Sequence, residues 1–346
     1  MAKPPDEDRH IDPKLFPELN HSFYTSHSGP HDYINGRLRA LFLAVSPSEH
    51  VAQAEASGLQ IGEVGTLPKE ATRIDDGGES RLRARQDYLL VESTVLLHHA
   101  AEALVRLFLA HRGEPPCPRL EAARLYRPAA FYKEADRFRD ALPSNEARAD
   151  LLSVFTGQGA NMPEGSKGWS EDVQTSQIDG LTSLMGTAID VLDRDGNLYN
   201  AAKHGITVAP SELLLALVDE PGSDTVGGLD ISAEGPILTF LEVDREKRRW
   251  AETSTWIFPE ANIHLTYLIA RQIRALMHVG RVRYVEGGPL AMIPISKEDV
   301  EEAARRGKPD KLIQIPSVSQ GLLYLPEADQ KAPPRGKSKS KGQRHR

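Results

Sequence analysis

Apolar residues recur every three or four positions in three long stretches of the chain, which is the pattern of an amphipathic helix. These stretches span residues 85–111, 170–193 and 260–280, and a shorter one spans 146–155. Ser144 stands where the cap of the shorter helix is expected. Each apolar stripe has to be buried against another element, so we predict one bundle of mostly antiparallel helices.

A small sheet is predicted as an insertion in this bundle, within residues 206–258. Apolar runs of strand length predict three antiparallel strands, at 212–218, 237–244 and 249–258. Trp250 and Trp256 lie six positions apart on the last strand and therefore share one face. We expect both tryptophans to pack against the bundle, with stacking on a ligand as the alternative.

Weaker patterns complete the organisation of the chain. Shorter helices are predicted at 32–45 (or a strand–helix pair there), 120–142, 197–205 and 296–306. Residues 1–30 and 307–330 show no periodicity, and we predict no regular element in them. We therefore divide the chain into an irregular N-terminal region at 1–80, the bundle with its insertion at 81–282, a C-terminal extension at 283–330 and a disordered basic tail at 331–346.

The composition is that of a folded, water-exposed protein, with 40% hydrophobic and 26% charged residues. No run of 18 apolar residues lacks charge, and the polar first residues contain no apolar segment of a secretion signal. The single cysteine, Cys117, cannot form a disulfide within the chain. We therefore expect a cytoplasmic protein without a membrane partner.

The charge is distributed unevenly. The net charge is −7, yet the last 16 residues carry seven Lys or Arg and no Asp or Glu, so residues 1–330 carry −14. Such an acidic body is a poor general binder of nucleic acid, because phosphate contacts need Lys and Arg. The tail is either a solubilising end or a binding segment for RNA or another polyanion through Lys337, Lys339 and Lys341.

The densest group of chemically capable side chains lies in the stretch 197–205, NLYNAAKHG. Residues four apart on a helix share a face, so Asn200 lies below His204 and Tyr199 below Lys203. Asn197 is placed to cap this short helix. The sequence therefore predicts one polar cluster on two adjoining strips.

Residues 199–204 resemble the motif of the HEPN helical domains, in which an Arg is followed by four to six residues and a His, often with an Asn directly after the Arg. Asn200 and His204 occupy matching places, whereas Tyr199 stands where the Arg is usual. The resemblance covers about residues 85–280. It implies a bundle of four or five helices that often dimerises and, in active members, a metal-independent ribonuclease.

Two functions follow from these observations. In a ribonuclease, His204 would be the general acid or base, Asn200 would orient it, and Lys203, Arg106 or Arg194 would supply the cation that stabilises the phosphorane. In a non-catalytic binding or scaffold protein, Asn200 and His204 would be structural. The replacement of the usual Arg by Tyr199 and the acidic body favour the second function.

A polar stripe on the first long helix is the predicted counterpart of this cluster. Glu92, His99, Glu102 and Arg106 lie on one side of that helix. They form either a solvated stripe with a Glu102–Arg106 pair or a cleft that faces Asn200 and His204. No metal or cofactor is predicted, since adjacent histidines on a helix cannot face one ion.

Two further pairs match simple spacings. Arg106 and His111 also fit Arg, four residues, His, but side chains five positions apart point about 140° away from each other, so we treat this match as chance. Arg274 and His278 are four apart and could face one pocket, although a surface pair is favoured.

Overall fold

The computed structural model describes residues 11–26, 28–45, 78–157, 170–194, 196–203, 208–217, 231–244, 249–290, 293–308 and 317–324. These residues are mainly helical and include one small antiparallel sheet. The α-helices of this part of the chain are α1 (Phe16–Tyr24), α2 (Pro30–Val45), α3 (Gly78–His111), α4 (Pro118–Arg124), α5 (Pro128–Ala141), α6 (Asn145–Thr156), α7 (Glu171–Arg194), α8 (Gly196–Ala202), α9 (Pro259–Arg281) and α10 (Lys297–Arg305).

The helix boundaries follow from local chemistry. Ser144 caps α6 by accepting a hydrogen bond from the Ala147 N–H, and Gly157 ends that helix with a φ of 69°. Ser296 and Asp299 form a capping box at the start of α10. Helices α4, α5 and α9 each begin with a proline, whose missing N–H has no partner at that position anyway.

Helix α3 is the centre of the bundle. It packs against α2, α7 and α9, and α6 packs against α7 and α9. Phe108 and Leu104 of α3, Leu184 of α7 and Ile273 of α9 are fully buried in one continuous core. The prediction that the four amphipathic helices pack together is therefore confirmed.

The N-terminal region contains more helix than the sequence indicates. The prediction of irregular chain is wrong for residues 16–24, which form α1, and residues 30–45 are helical throughout. Helix α1 buries Asn20 and Tyr24, which lie four residues apart. A polar Asn in that position conceals the helical periodicity, and its side-chain NH2 donates to the distant Pro116 carbonyl at 2.9 Å.

The sheet has four antiparallel strands in the order β1 (Val208–Leu217), β2 (Ile231–Asp244), β3 (Arg249–Trp256) and β4 (Ser317–Tyr324). The three predicted strands are confirmed. The prediction of no element in residues 307–330 is wrong, because β4 pairs with β3. Strand β4 is short and contains Gly321, and its partner strand β3 lies far away in the sequence. No local sequence pattern therefore predicts β4.

The bundle and the sheet meet through a second, smaller core. Leu238 and Phe240 of β2 pack there with Leu90 of α3 and Leu198 of α8. Trp256 pairs with Ile237, so its side chain points to the opposite face of the sheet. The expectation that both tryptophans pack against the bundle is therefore wrong, and Trp250 is 39% exposed.

Residues 293–305 are fixed to the bundle by two buried glutamines. Gln177 and Gln272 both donate to the Ile293 carbonyl, and the Gln177 carbonyl accepts from the Ile295 N–H at 2.9 Å. A Cβ at Gly180 would lie 2.4 Å from the Ile295 carbonyl oxygen, so only Gly permits this close approach. The predicted C-terminal extension therefore packs on α7 and α9.

Candidate functional site

Helix α8 carries the residues of the predicted polar cluster and lies against α3. Leu198 and Ala202 are buried, Tyr199 is half-buried, and Asn200 and Lys203 are exposed. His204 lies outside the described residues. The prediction that Asn197 caps this helix is wrong, because α8 already begins at Gly196 and the Asn197 amide donates to Glu242 on β2 at 3.1 Å.

Tyr199, which stands in place of the usual Arg, is a packing residue. Its ring stacks on the buried His98 of α3, with ring centroids 3.9 Å apart and planes 3° from parallel. The Lys203 ammonium lies 5.3 Å from the centre of the same ring, as expected for residues four apart on one helix. The aromatic ring of Tyr199 therefore joins α8 to α3.

Arg37 of α2 occupies the other side of this region. It forms an ion pair with Glu92, and its Nε donates to Oε1 at 3.0 Å. Its Nη1 lies 3.5 Å from Nδ1 of His99. A guanidinium can only donate, so Nδ1 of His99 accepts and the proton of the neutral imidazole resides on Nε2. Burial and the charge of Arg37 lower the pKa of His99.

Glu102 and Arg106 form the second ion pair of the region. The Arg106 Nε donates to Glu102 at 2.8 Å, Nη1 donates to the Leu125 carbonyl, and the guanidinium lies 4.0 Å from the centre of the Phe131 ring. Burial and then the Glu102 carboxylate raise the pKa of Tyr199. The Tyr199 phenol is therefore neutral near pH 7.

We call the surface formed by Arg37, Glu92, His99, Glu102, Arg106 and Tyr199 the α3 cleft. The four side chains of its two ion pairs are between 20% and 26% exposed. The predicted stripe Glu92, His99, Glu102 and Arg106 thus lines a half-buried surface. The side chain that approaches it from α8 is that of Tyr199, whereas Asn200, which was expected to face it, is exposed.

Two residues of this region were missed from the sequence. Arg37 lies in the helix predicted at 32–45, four residues after Tyr33, and so shares its helix face. His98 is the histidine adjacent to His99, and adjacent helix positions cannot bind one metal ion. Its position on the apolar side of α3, next to Leu97, was the available signal for a buried role.

The formal match between Arg106 and His111 has no counterpart in space. His111 is buried, and its Nε2 lies 2.6 Å from the Tyr24 hydroxyl while Nδ1 lies 2.6 Å from the Leu107 carbonyl. The carbonyl can only accept, so Nδ1 carries the proton and Nε2 accepts from Tyr24. Burial lowers the pKa of His111 to about 4. This imidazole is neutral and structural.

Comparisons with known proteins add no relative. Neither a protein-family model, nor a curated protein, nor a solved structure matches this chain. Within the described residues, no three or more His, Cys, Asp or Glu side chains are grouped as metal ligands, and no helix is long and apolar enough to cross a membrane. The HEPN resemblance rests on residues 199–204 and stays a prediction.

Proposed function

We propose that this chain is a non-catalytic, HEPN-like binding protein and that the α3 cleft is its binding surface. The observation that supports this proposal is the stack of Tyr199 on His98. Metal-independent RNA cleavage needs a cation at the developing phosphorane. In this chain the position of the usual Arg is used to hold two helices together.

The other cations near Tyr199 support the same conclusion. Arg37 forms an ion pair with Glu92, and Arg106 forms one with Glu102 while its guanidinium lies over the ring of Phe131. An arginine already paired with a carboxylate interacts less strongly with a phosphate, because the ion pair has to be broken first. Lys203 is exposed, but an ammonium offers a point charge where a guanidinium offers two aligned donors.

A second copy of the chain is the partner that we propose for this surface. Its two ion pairs carry equal numbers of positive and negative charges, so two identical surfaces can meet without net repulsion. Tyr33 and Tyr88 are 54% and 46% exposed. The Arg37 guanidinium lies 5.8 Å from the Tyr33 ring, and burial and the Glu92 charge raise the pKa of Tyr88. Tyr and Arg are enriched in protein interfaces.

Incubation of the purified protein with mixed RNA in EDTA tests the absence of catalysis. We expect no cleavage above buffer for the wild type and for His204→Ala. The variant Tyr199→Arg supplies the cation of the usual motif, and cleavage gained by this variant would assign the loss of catalysis to Tyr199. Cleavage by the wild type that disappears in His204→Ala would instead assign a ribonuclease that uses His204.

Sedimentation velocity over a concentration series tests the proposed partner. We expect the wild type to dimerise. The double variant Tyr33→Ala, Tyr88→Ala should dimerise more weakly and therefore dissociate at a higher protein concentration than the wild type. The matched control is Tyr267→Ala, Val173→Ala, which removes two equally exposed apolar side chains from other helices. A wild type that is monomeric throughout the series, or a double variant that dimerises unchanged, would rule out a homodimer through the α3 cleft.

A further inference from the structure

A groove of about 480 Å³ lies beside the α3 cleft, between the end of α1, the start of α2 and the middle of α3. Tyr33 and His99 line it and also belong to the region around Arg37. Small-molecule sites in proteins usually have volumes of about 300–1,000 Å³. The groove is therefore large enough for a ring with one substituent.

The floor of this groove is apolar. Ile34 is fully buried, and Phe23 and Ala103 are half-buried and pack against the main core. Tyr33 stands at the rim with its ring edge-on to His99, at a centroid distance of 5.6 Å. An aromatic or aliphatic body of a ligand would thus exchange water for contact with apolar side chains.

The polar groups of the groove are donors for an anion. Arg119 donates to the Ser22 hydroxyl and forms no ion pair with the residues that the structure describes. At the other side, His99 presents Nε2–H, since its Nδ1 already accepts from Arg37. None of the described residues that line the groove is an Asp or a Glu, although the body of the protein is strongly acidic.

We propose that this groove binds a small organic monocarboxylate, with the carboxylate at Arg119 and the apolar body on Phe23, Ile34 and Ala103. A single guanidinium balances a single negative charge, which favours a monocarboxylate over a phosphate that needs several donors. The His99 Nε2–H is available to a further polar atom of the ligand, whereas the Ser26 hydroxyl already donates to the Ser28 carbonyl at 3.4 Å. This proposal does not depend on the proposed homodimer.

Titration of the full chain with benzoate, followed by the backbone amide resonances in NMR, tests the proposal. We expect saturable shifts at Phe23, Ser26, Tyr33 and His99 with a Kd on the order of 1 mM, as is usual for a ligand of this size. Benzyl alcohol, which keeps the ring without the charge, should bind at least about tenfold more weakly. Inorganic phosphate, which lacks the apolar body, should give no saturable shift at these residues.

Two variants locate the site. Arg119→Gln should weaken benzoate at least about tenfold, whereas Arg124→Gln on the same helix, an exposed arginine paired with Glu121, should leave the Kd unchanged. Ala103→Leu should abolish the shifts by filling the floor, and leucine preserves the helix. The absence of saturable shifts with benzoate, an equal Kd in Arg119→Gln, or equal binding of phosphate would each overturn the proposal.

Discussion

Helix α3 carries two histidine clusters that differ in how many imidazole nitrogens already have a hydrogen-bond partner. At its C-terminal end, both nitrogens of His111 are occupied, by Tyr24 and by Leu107, and the Tyr24 ring is buried and stacks on Tyr284. In its middle, His99 is half-buried, one nitrogen faces Arg37, and the ring borders an open groove.

The difference separates structure from function on one helix. A buried cluster whose donors and acceptors are all matched stabilises the fold and offers nothing to a ligand. A half-buried cluster with a remaining donor and neighbouring exposed tyrosines retains the capacity to bind. The two clusters should therefore respond oppositely to mutation: loss of stability at His111, and loss of binding with little change of stability at the α3 cleft.

The largest expected effect comes from removal of the Tyr24 side chain. Tyr24→Ala leaves a cavity between α1, α3 and α9 and an unsatisfied His111, and we expect it to lower the free energy of unfolding by about 3–5 kcal/mol. Tyr33→Ala beside the α3 cleft is the matched control, with a change of about 0.5 kcal/mol or less. Urea unfolding followed by circular dichroism measures both. Similar losses in the two variants would contradict the comparison.

The pH dependence of stability tests the same cluster through His111. Its pKa of about 4 in the folded state lies below the ordinary value of 6.5, so the unfolded chain binds a proton first as the pH falls. The stability that this histidine contributes is present above pH 6.5 and is lost towards pH 4, with a magnitude on the order of 3 kcal/mol. His111→Gln should show a smaller loss between these pH values in urea unfolding, while His21→Gln on exposed α1 surface should follow the wild type.

An intermediate effect is expected where α8 joins α3. Tyr199→Ala removes the half-buried ring and its stack on His98, which should cost about 1–2 kcal/mol of unfolding free energy. Tyr199→Phe keeps the ring and should be nearly neutral. Thermal denaturation of the three proteins separates the cases. If Tyr199→Ala were as stable as Tyr199→Phe, the stack would have no structural role, and the support that it gives to the proposed function would disappear.

The smallest effect is expected for the Glu102–Arg106 pair. Glu102→Gln removes one charge of an ion pair between residues four apart on α3, and such pairs contribute about 0.2–0.5 kcal/mol. The change in unfolding free energy should stay in that range. An effect of several kcal/mol would place Glu102 with the buried cluster rather than with the α3 cleft.

The long helices could be predicted because the apolar residues that stabilise them follow a regular local repeat in the sequence. Their apolar stripes repeat every three or four residues, and α9 begins with a proline. The shorter helices α6 and α10 begin after the capping residues Ser144 and Ser296. Helix α1 and strand β4 could not be predicted in this way. The Asn20 side chain of α1 donates to a carbonyl 96 positions away, and β4 pairs with β3, which precedes α9 in the sequence. Partners at such distances leave no periodic signal in the chain.

Spacing in the sequence singled out the elements that form the α3 cleft, but not the contacts between them. The polar stripe of α3 and the helix that carries Tyr199 and Lys203 were both identified from spacing. Which of the α8 side chains contacts α3 depends on the rotation of α8 about its axis, and buried Leu198 and Ala202 fix that rotation. The position of Arg37 beside Glu92 and His99 depends on how α2 packs against α3. The spacing of residues within 197–205 contains no information about that packing.

The position of β4 at the margin of the sheet has a consequence for solubility. Strand β3 bonds to β2 on one side and to β4 on the other, so β4 shields one row of its backbone N–H and C=O groups. A chain shortened before Ser317 would expose that row beside the partly exposed Trp250. Unprotected sheet margins of this kind recruit strands from other molecules. Loss of the last 30 residues, from Ser317 onward, would thus expose a new sheet margin and favour aggregation.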